Sequence, residues 1–382
     1  DLSIYTPWLS STVWSCLVVF IAISIQCPFF AISSIRPITR QTRYILRCKL
    51  SISIGQCVWI VPLLIRFFIF SIFVKIFRGL PNLKSQLPCA LAIGNFDGVH
   101  LGHQALLKQL CETARAHNIA AGVLTFEPHP REFFAPHQAP PRIYNLRSKL
   151  GALRDTGIDR VMIARFDAYF AVQTPDEFIR QVLMQTLKTR FLFVGDDFRF
   201  GAGGAGSVGY LEQVGYRYGF ETTRVATCTL GRQRISSSSI RAALSSGDIT
   251  TASELIGRPY MLAGHVIHGS KLGRKLGFPT LNLRVAPYPQ KRSAALSGIF
   301  VAQVHGIADH PLPAVASLGI RPTIDNSAQT LLEAHLLDFN ESLYGRIVGV
   351  EFLYKLRDEV KYPDLDTLRQ AIAQDTEQTR LW

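Results

Sequence analysis

None of the seven cysteines stands in a C-x-x-C pair, which removes a cysteine zinc site and a dithiol redox motif from consideration. Cys89, Cys111 and Cys228 are isolated and offer no disulfide framework, as expected of a protein body that works in the cytoplasm. No G-x-x-x-x-G-K-[ST] loop and no H-E-x-x-H occurs, so neither the P-loop nor the zinc-protease helix is indicated. Acids are scarce, 28 against 41 Lys and Arg for a net charge of +13, and residues 1–78 hold only Asp1 against eight basic side chains. That stretch carries +7 and leaves +6 on everything after it. So mild a surplus suits phosphate-bearing small ligands at least as well as nucleic acid, and no nucleic-acid recognition motif is present.

The first 73 residues differ from the rest. "VWSCLVVFIAISIQCPFFAISSI" (13–35) and "VWIVPLLIRFFIFSIF" (58–73) are near-continuous apolar runs. The first is long enough to cross a bilayer, which takes about 20 residues; the second is short and carries Arg66 in its middle. The chain opens without Met and shows no small-residue cleavage pattern, which argues against a signal peptide. Two readings of this extension stand, a membrane anchor or upstream sequence joined to a soluble enzyme, and the second is preferred.

From residue 87 strand-like and helix-like stretches alternate. "CALAIG", "AAGVLTF", "RVMIARF" and "RFLFVG" read as strands, and "HQALLKQLCETARAHN", "LRSKLGALRDTG" and "PDEFIRQVLMQTL" as helices. This alternation predicts a parallel sheet with helices on its faces, and ligands then bind at the carboxyl ends of the strands.

"GNFDGVHLGH" (94–103) falls at such an end. Gly94, Gly98 and Gly102 let the backbone approach a ligand, and His100 and His103, three apart at the start of a helix, face one side. A helix N-terminus favours phosphate, and imidazoles added there would stabilise charge on a phosphorus undergoing displacement. A zinc pair or solvent-facing histidines are the alternatives, and the spacing does not suit the zinc motif. "ISSSSIRAAL" (235–244) opens a helix with hydroxyls and sets Arg241 one turn in, a clasp for outer phosphates or simple capping. "GAGGAG" (201–206) fits G-x-G-x-x-G but comes late, after the polar insert Asp196–Arg199, and is discounted as a dinucleotide fingerprint.

After "ELIGRPY" (254–260) the pattern changes. "MLAGHVIHG", "GIFVAQVHG", "PAVASLGI", "LLEAHLLDF" and "IVGVEFLYKLR" are short, partly alternating strands, followed by the helical "LDTLRQAIAQDTEQTR". They predict a small β-barrel with a C-terminal helix and a linker near Gly257.

"GNFDGVHLGH", "FEPHP", "GDDFRFG", "ISSSSIR", "HGSKLGRKLGFPTLNL", "SGIFV", "LGIRPTI" and "LLEAHLLDFNESLYG" occur in this order. Together they resemble the bacterial bifunctional riboflavin kinase/FAD synthetase, from about Val74 to the carboxyl end. The resemblance implies an α/β nucleotidyltransferase-like, Rossmann-like domain at 74–256 and a riboflavin kinase barrel at 257–382, with residues 1–73 an apolar basic extension that has no counterpart. It implies ATP as co-substrate with Mg2+, riboflavin as substrate, FMN and FAD as products, no nucleic-acid partner, and a membrane only through the extension.

In the first domain the resemblance assigns His100 and His103 to the α-phosphate of ATP, Gly94, Gly102, Ser237 and Arg241 to the nucleotide, and Asn95, Asp97, Asp197, Phe198 and Arg199 to the surroundings of the flavin. In the barrel it assigns Glu333 as general base, Gly273 and Thr280 to the nucleotide, and Thr280 with Asn282 to the metal. The family's Pro-Thr-Ala-Asn reads Pro279-Thr280-Leu281-Asn282 here. In a strand Thr280 and Asn282 share one face and Leu281 points to the other. Without the family context Glu333 reads as a solvated strand carboxylate. A regulator with dead sites, a membrane protein and a nucleic-acid binder are the competing classes, and intact His100, His103, Arg241 and Glu333 speak against the first.

The extension shares no motif with either site, and exposed apolar runs of its size promote aggregation or membrane insertion. A truncation starting at Val74 is expected to be soluble and at least as active as the full chain, measured by FMN and FAD production. Loss of both activities would make the extension part of the enzyme.

Overall fold

The computed structural model describes residues 74–81, 87–231, 233–269, 271–285, 294–321 and 329–382. The expectations for residues 1–73 lie outside the described residues. Among those described, no helix is long and apolar enough to cross a membrane.

The strands of the first half are β1 (Lys75–Arg78), β2 (Cys89–Ile93), β3 (Ala120–Glu127), β4 (Arg160–Arg165), β5 (Thr189–Gly195), β6 (Arg199–Phe200), β7 (Gly206–Ser207) and β8 (Glu221–Val225). Six of them form one parallel sheet in the order β1-β4-β3-β2-β5-β8. All five residues of β2 are buried, as a central strand covered on both faces requires. From β2 the chain runs outward one way through β3 and β4, then returns to the other side through β5 and β8. The switch lies between β2 and β5, and the crevice at their carboxyl ends is where a fold of this kind binds ligands.

Helix α1 (Leu101–Ala116) follows β2 and buries Leu106, Leu107, Leu110, Cys111 and Ala114, a helical stripe against the sheet. Helices α2 (Pro130–Phe134) and α3 (Leu146–Arg154) flank the β3–β4 connection. "PDEFIRQVLMQTL" is helical as expected, but Phe178–Thr186 is wound wider, with Leu187 N donating five residues back to Val182 O. The "GAGGAG" stretch joins β6 to β7 as a hairpin, with Gly201 and Gly203 at positive φ and Gly206 under the Phe200 ring, where a Cβ would clash. Its glycines thus have a local structural reason.

Helix α4 (Val208–Tyr218) leads to β8; the hairpin β9 (Thr229–Leu230) and β10 (Gln233–Arg234) precedes α5 (Ser237–Ser246) and α6 (Ile249–Ile256). Then come β11 (Met261–Ile267), α7 (Leu272–Lys275), β12 (Leu281–Arg284), β13 (Gly298–His305), β14 (Leu312–Arg321), β15 (Gln329–Leu336) and β16 (Ile347–Arg357). The six strands close antiparallel in the order β11-β12-β15-β14-β13-β16, and β16 pairs back with β11. Phe300, Val304, Leu318, Leu332, Val348 and Val350 fill the interior. Sheet and barrel belong to one unit, and one hydrophobic cluster runs through both.

Helix α8 (Leu365–Leu381) closes the chain on the barrel. Arg357 of β16 donates through Nε and Nη2 to the two carboxylate oxygens of Asp375 (2.9 and 2.6 Å), and Asp375 is 4% exposed. Asp375→Ala leaves that guanidinium without its bidentate partner and should lower stability by about 2 to 3 kcal/mol, read from urea unfolding. A change under about 0.5 kcal/mol would show that α8 is held by apolar contacts alone.

Candidate active sites

Between β2 and α1 the backbone takes three positive φ angles, Phe96 (47°), Gly98 (81°) and Val99 (41°). A β-branched residue rarely accepts this conformation, and such strain concentrates where function requires it. The loop ends on His100, the N-cap of α1, whose Nδ1 accepts from His103 N (3.3 Å). The two imidazoles stack with centroids 3.7 Å apart and 18° between planes. Gly102 leaves room for the His100 ring, which a Cβ would meet at 3.2 Å. Burial drives the His100 pKa down to about 4; Asp97 opposes this, and Arg241 and Arg258 reinforce it. Burial also holds His103 well below its ordinary value, with His100, Lys149 and Arg258 adding to the effect, and its Nδ1 has no partner among the described residues. The pair sits in the switch-point crevice as two neutral rings beside cationic side chains.

Asp97, 7% exposed, binds three donors: Ile143 N and Tyr144 N (both 3.1 Å) and Arg241 Nη2 (2.6 Å). Its carboxylate is therefore held by groups of the protein itself. Arg241 also donates through Nε to Pro141 O (2.7 Å), and Ser237 Oγ donates to Asp97 O (3.0 Å). These contacts hold the N-terminal turn of α5, capped by Ser236, against the histidine loop. Asn95 Oδ1 is buried without a partner among the described residues.

On the other side of the switch, β5 ends at Gly195 and the insert that follows exposes Asp196, Asp197 and Arg199. Asp196 accepts from Thr227 Oγ1 (3.1 Å), and Phe198 stacks on Phe200 at 5.9 Å. β2 and β5 pair directly, so this insert and the histidine loop leave adjacent strand ends.

In the barrel, β12 lies between β11 and β15, and Asn282 stands opposite Glu333 of β15 and Ile267 of β11. Cross-strand partners share a face, so Asn282 and Glu333 are neighbours. Leu283, Leu332 and Ala334 are fully buried and Leu281 packs on the same core, which sends Asn282 and Glu333 to the outer face, as the alternation predicts for Leu281 and Asn282; Thr280, expected in the same strand, lies just before it, since β12 begins at Leu281. Asn282 is 6% exposed, its Oδ1 has no partner among the described residues, and a Cβ on Gly269 would run into its amide. An unpartnered amide oxygen beside a carboxylate, approached by a glycine, suits a hard cation with oxygen ligands. Gly273 closes a turn, accepting from Phe278 N (2.8 Å), and lies against Phe278 O and Thr280 Cγ2.

Two residues of the sheet site went unread in the sequence. Lys149 Nζ sits 3.3 Å from Asn95 O and from Thr125 Oγ1, and burial lowers its pKa. Arg258 donates to Gly98 O (2.8 Å) and Val99 O (3.2 Å). Lys149 looks like a surface helix cation in "LRSKL", and Arg258 like a linker residue; only their approach to the loop in space distinguishes them.

The lowered His100 pKa has a consequence for stability. The unfolded chain protonates this ring near 6.5 and the folded one near 4, so stability is lost as pH falls from 6.5 toward 4, by about 2 kcal/mol at pH 5. His100→Asn keeps an N-cap acceptor and removes the titration. Its urea midpoint should fall less between pH 7 and pH 5 than that of the parent, and an equal fall would place the ring in water.

Residues 82–239 match the family described as FAD synthetase, and residues 256–382 match riboflavin kinase. The bifunctional riboflavin kinase/FMN adenylyltransferase of Escherichia coli (strain K12) is 44% identical over 305 residues, which cover 79% of this chain and 96% of the relative. The protein of the same description from Haemophilus influenzae is 43% identical, with 80% and 97% covered. A crystal structure described as a macrolide-efflux protein from Streptococcus pneumoniae aligns with a TM-score of 0.63 at 28% identity, over 79% of this chain and 97% of that one. Sheet and barrel thus each meet a family match, in the same order as in relatives covered nearly end to end, and the chain belongs to the bifunctional riboflavin kinase/FMN adenylyltransferase family.

Proposed function

We propose that residues 74–256 carry out the adenylyl transfer and residues 257–382 the phosphorylation, each with ATP, so that riboflavin becomes FMN at the barrel and FMN becomes FAD at the sheet. The stacked His100–His103 pair at the β2–β5 switch carries the first assignment. An oxygen of the FMN phosphate attacks the α-phosphorus of ATP, the bond to the β-phosphate oxygen breaks and pyrophosphate leaves. The protein's part is positioning and charge stabilisation. Because His100 Nδ1 accepts from His103 N, the proton of the neutral ring resides on Nε2, which donates to the phosphate. A phosphate arriving beside both rings raises their pKa values toward the cationic form.

Arg241 commits Nε and Nη2 to Pro141 and Asp97, which leaves Nη1 for the outer phosphates, next to the first N–H groups of α5. Gly94 and Gly102 admit the nucleotide, and Asn95, Asp197, Phe198 and Arg199 border the flavin. Asp97 acts through the loop it holds.

In the barrel Glu333 takes the proton of the ribityl hydroxyl as it attacks the γ-phosphorus and ADP leaves. Thr280 and Asn282 Oδ1 would hold magnesium, and Gly273 lines the nucleotide. When bound, the metal neutralises phosphate charge. The free thiols of Cys89, Cys111 and Cys228 agree with a cytoplasmic setting for this half of flavin metabolism.

His103→Ala should lower FAD formation by roughly a hundredfold or more and leave FMN formation intact. Glu333→Gln should lower FMN formation by roughly a hundredfold or more and leave the conversion of supplied FMN intact. If either change abolishes both reactions in a folded protein, the two-site assignment fails. Thr280→Ala and Asn282→Ala should likewise reduce FMN formation at saturating magnesium, whereas Leu281→Ala, on the core face, should change the unfolding midpoint more than turnover. An inactive parent restored by Leu281→Ala would mean that the leucine blocks the site.

A further inference from the structure

The stretch Gly257-Arg258-Pro259-Tyr260 joins α6 to the first strand of the barrel, yet the side chains of Arg258 and Tyr260 reach back to the sheet half. Arg258 spreads its two terminal nitrogens over consecutive carbonyls, Nη2 to Gly98 O (2.8 Å) and Nη1 to Val99 O (3.2 Å). Those carbonyls belong to the positive-φ residues immediately before His100. The guanidinium lies over the Tyr144 ring at 5.5 Å, and Tyr144 N is one of the donors to Asp97. Two further contacts pin the same region. Gln104 Nε2 bridges Val99 O (2.9 Å) and Ile256 O (2.7 Å), and the buried Tyr260 donates its hydroxyl to Ile143 O (2.9 Å).

We infer that Arg258 is a positioning residue for adenylyl transfer: from the connection into the kinase barrel it fixes the Gly98–Val99 segment that sets the His100 ring at the head of α1. This rests on the reading that His100 and His103 serve that step. The geometry explains why an arginine stands there. The guanidinium presents one terminal nitrogen to each of the two carbonyls in a fixed planar fork, whereas a lysine would reach both only from a single, rotatable nitrogen. A strained loop keeps its conformation only when its surroundings over-determine it, and Arg258 supplies two of the bonds that do so. Its charge also disfavours protonation of both imidazoles in the free protein, so the rings meet the incoming phosphate as neutral donors. The adenylyl site is then completed by a residue that the kinase half brings with it.

The test uses the full chain and measures FAD formation from FMN and FMN formation from riboflavin in Arg258→Ala and Arg258→Lys, with His103→Ala as reference. Arg258→Ala should lower kcat for FAD formation by about tenfold or more, with KM for FMN and ATP within about threefold and FMN formation within about twofold. Arg258→Lys, which keeps the charge and loses the fork, should fall between it and the parent. If His103→Ala is inactive in FAD formation while Arg258→Ala matches the parent, the inference is wrong and the site reading stands. If both match the parent, the site reading falls with it. An equal loss of the two activities in Arg258→Ala would show a role in the fold as a whole and overturn the proposal. Should that variant fail to fold, Arg258→Lys decides: a lowered kcat at parental KM supports positioning, and parental kcat overturns it.

Discussion

The buried carboxylate of Asp97 gathers three separate parts of the chain. It accepts from two consecutive backbone N–H groups at Ile143 and Tyr144 and from the Arg241 guanidinium. Charge-assisted bonds of this kind are short and strong. Their removal would leave Arg241 Nη2 and two amides without their acceptor in a mostly buried place, a loss on the scale of about 3 to 5 kcal/mol for a broken buried pair. What it secures is relative placement: the histidine loop, the approach to α3 and the N-terminus of α5 are held at one corner of the sheet.

Around that carboxylate the backbone is forced. Phe96 and Val99 sit at positive φ, a conformation that costs of order 1 to 3 kcal/mol per residue. The loop keeps it because Phe96 is buried at 1% exposure, Asp97 is bonded on three sides and the Val99 carbonyl is shared by Gln104 and Arg258. The histidines inherit their stacking from this frame, with Gly102 making room for the His100 ring. The candidate site of the barrel needs no such frame. Asn282 and Glu333 meet through antiparallel register alone, because adjacent strands in a closed barrel bring equivalent faces together without special backbone angles.

Much of this was legible in the sequence where a signal is local. "CALAI" reads as a strand and becomes β2, the five short strands read after Gly257 become β11, β13, β14, β15 and β16, and the alternation around Leu281 gives its inward face. The strand β8, "ETTRV", escaped notice because, at the sheet edge, only Val225 is buried and the strand lacks an apolar run. β1 is four residues long and mostly exposed, too short for a periodic signal. The bonds that hold Asp97 were not legible, because its motif is local while its partners lie 46, 47 and 144 residues away. Composition and periodicity carry no trace of contacts that only the fold creates, and Arg258 and Lys149 were invisible for the same reason.

Gly257 shows how closely the two halves are joined. It caps α6 at a φ of 77°, and any Cβ there would collide with Leu101 at the start of α1. Helix α6 therefore hands the chain to the barrel with no slack, and Tyr260, three residues on, is already fully buried. The two catalytic halves are not beads on a flexible string. Exchanging one kinase barrel for another behind a generic glycine-serine spacer would sever a seam shared by both, so a working chimera would have to carry its junction residues with the barrel it imports.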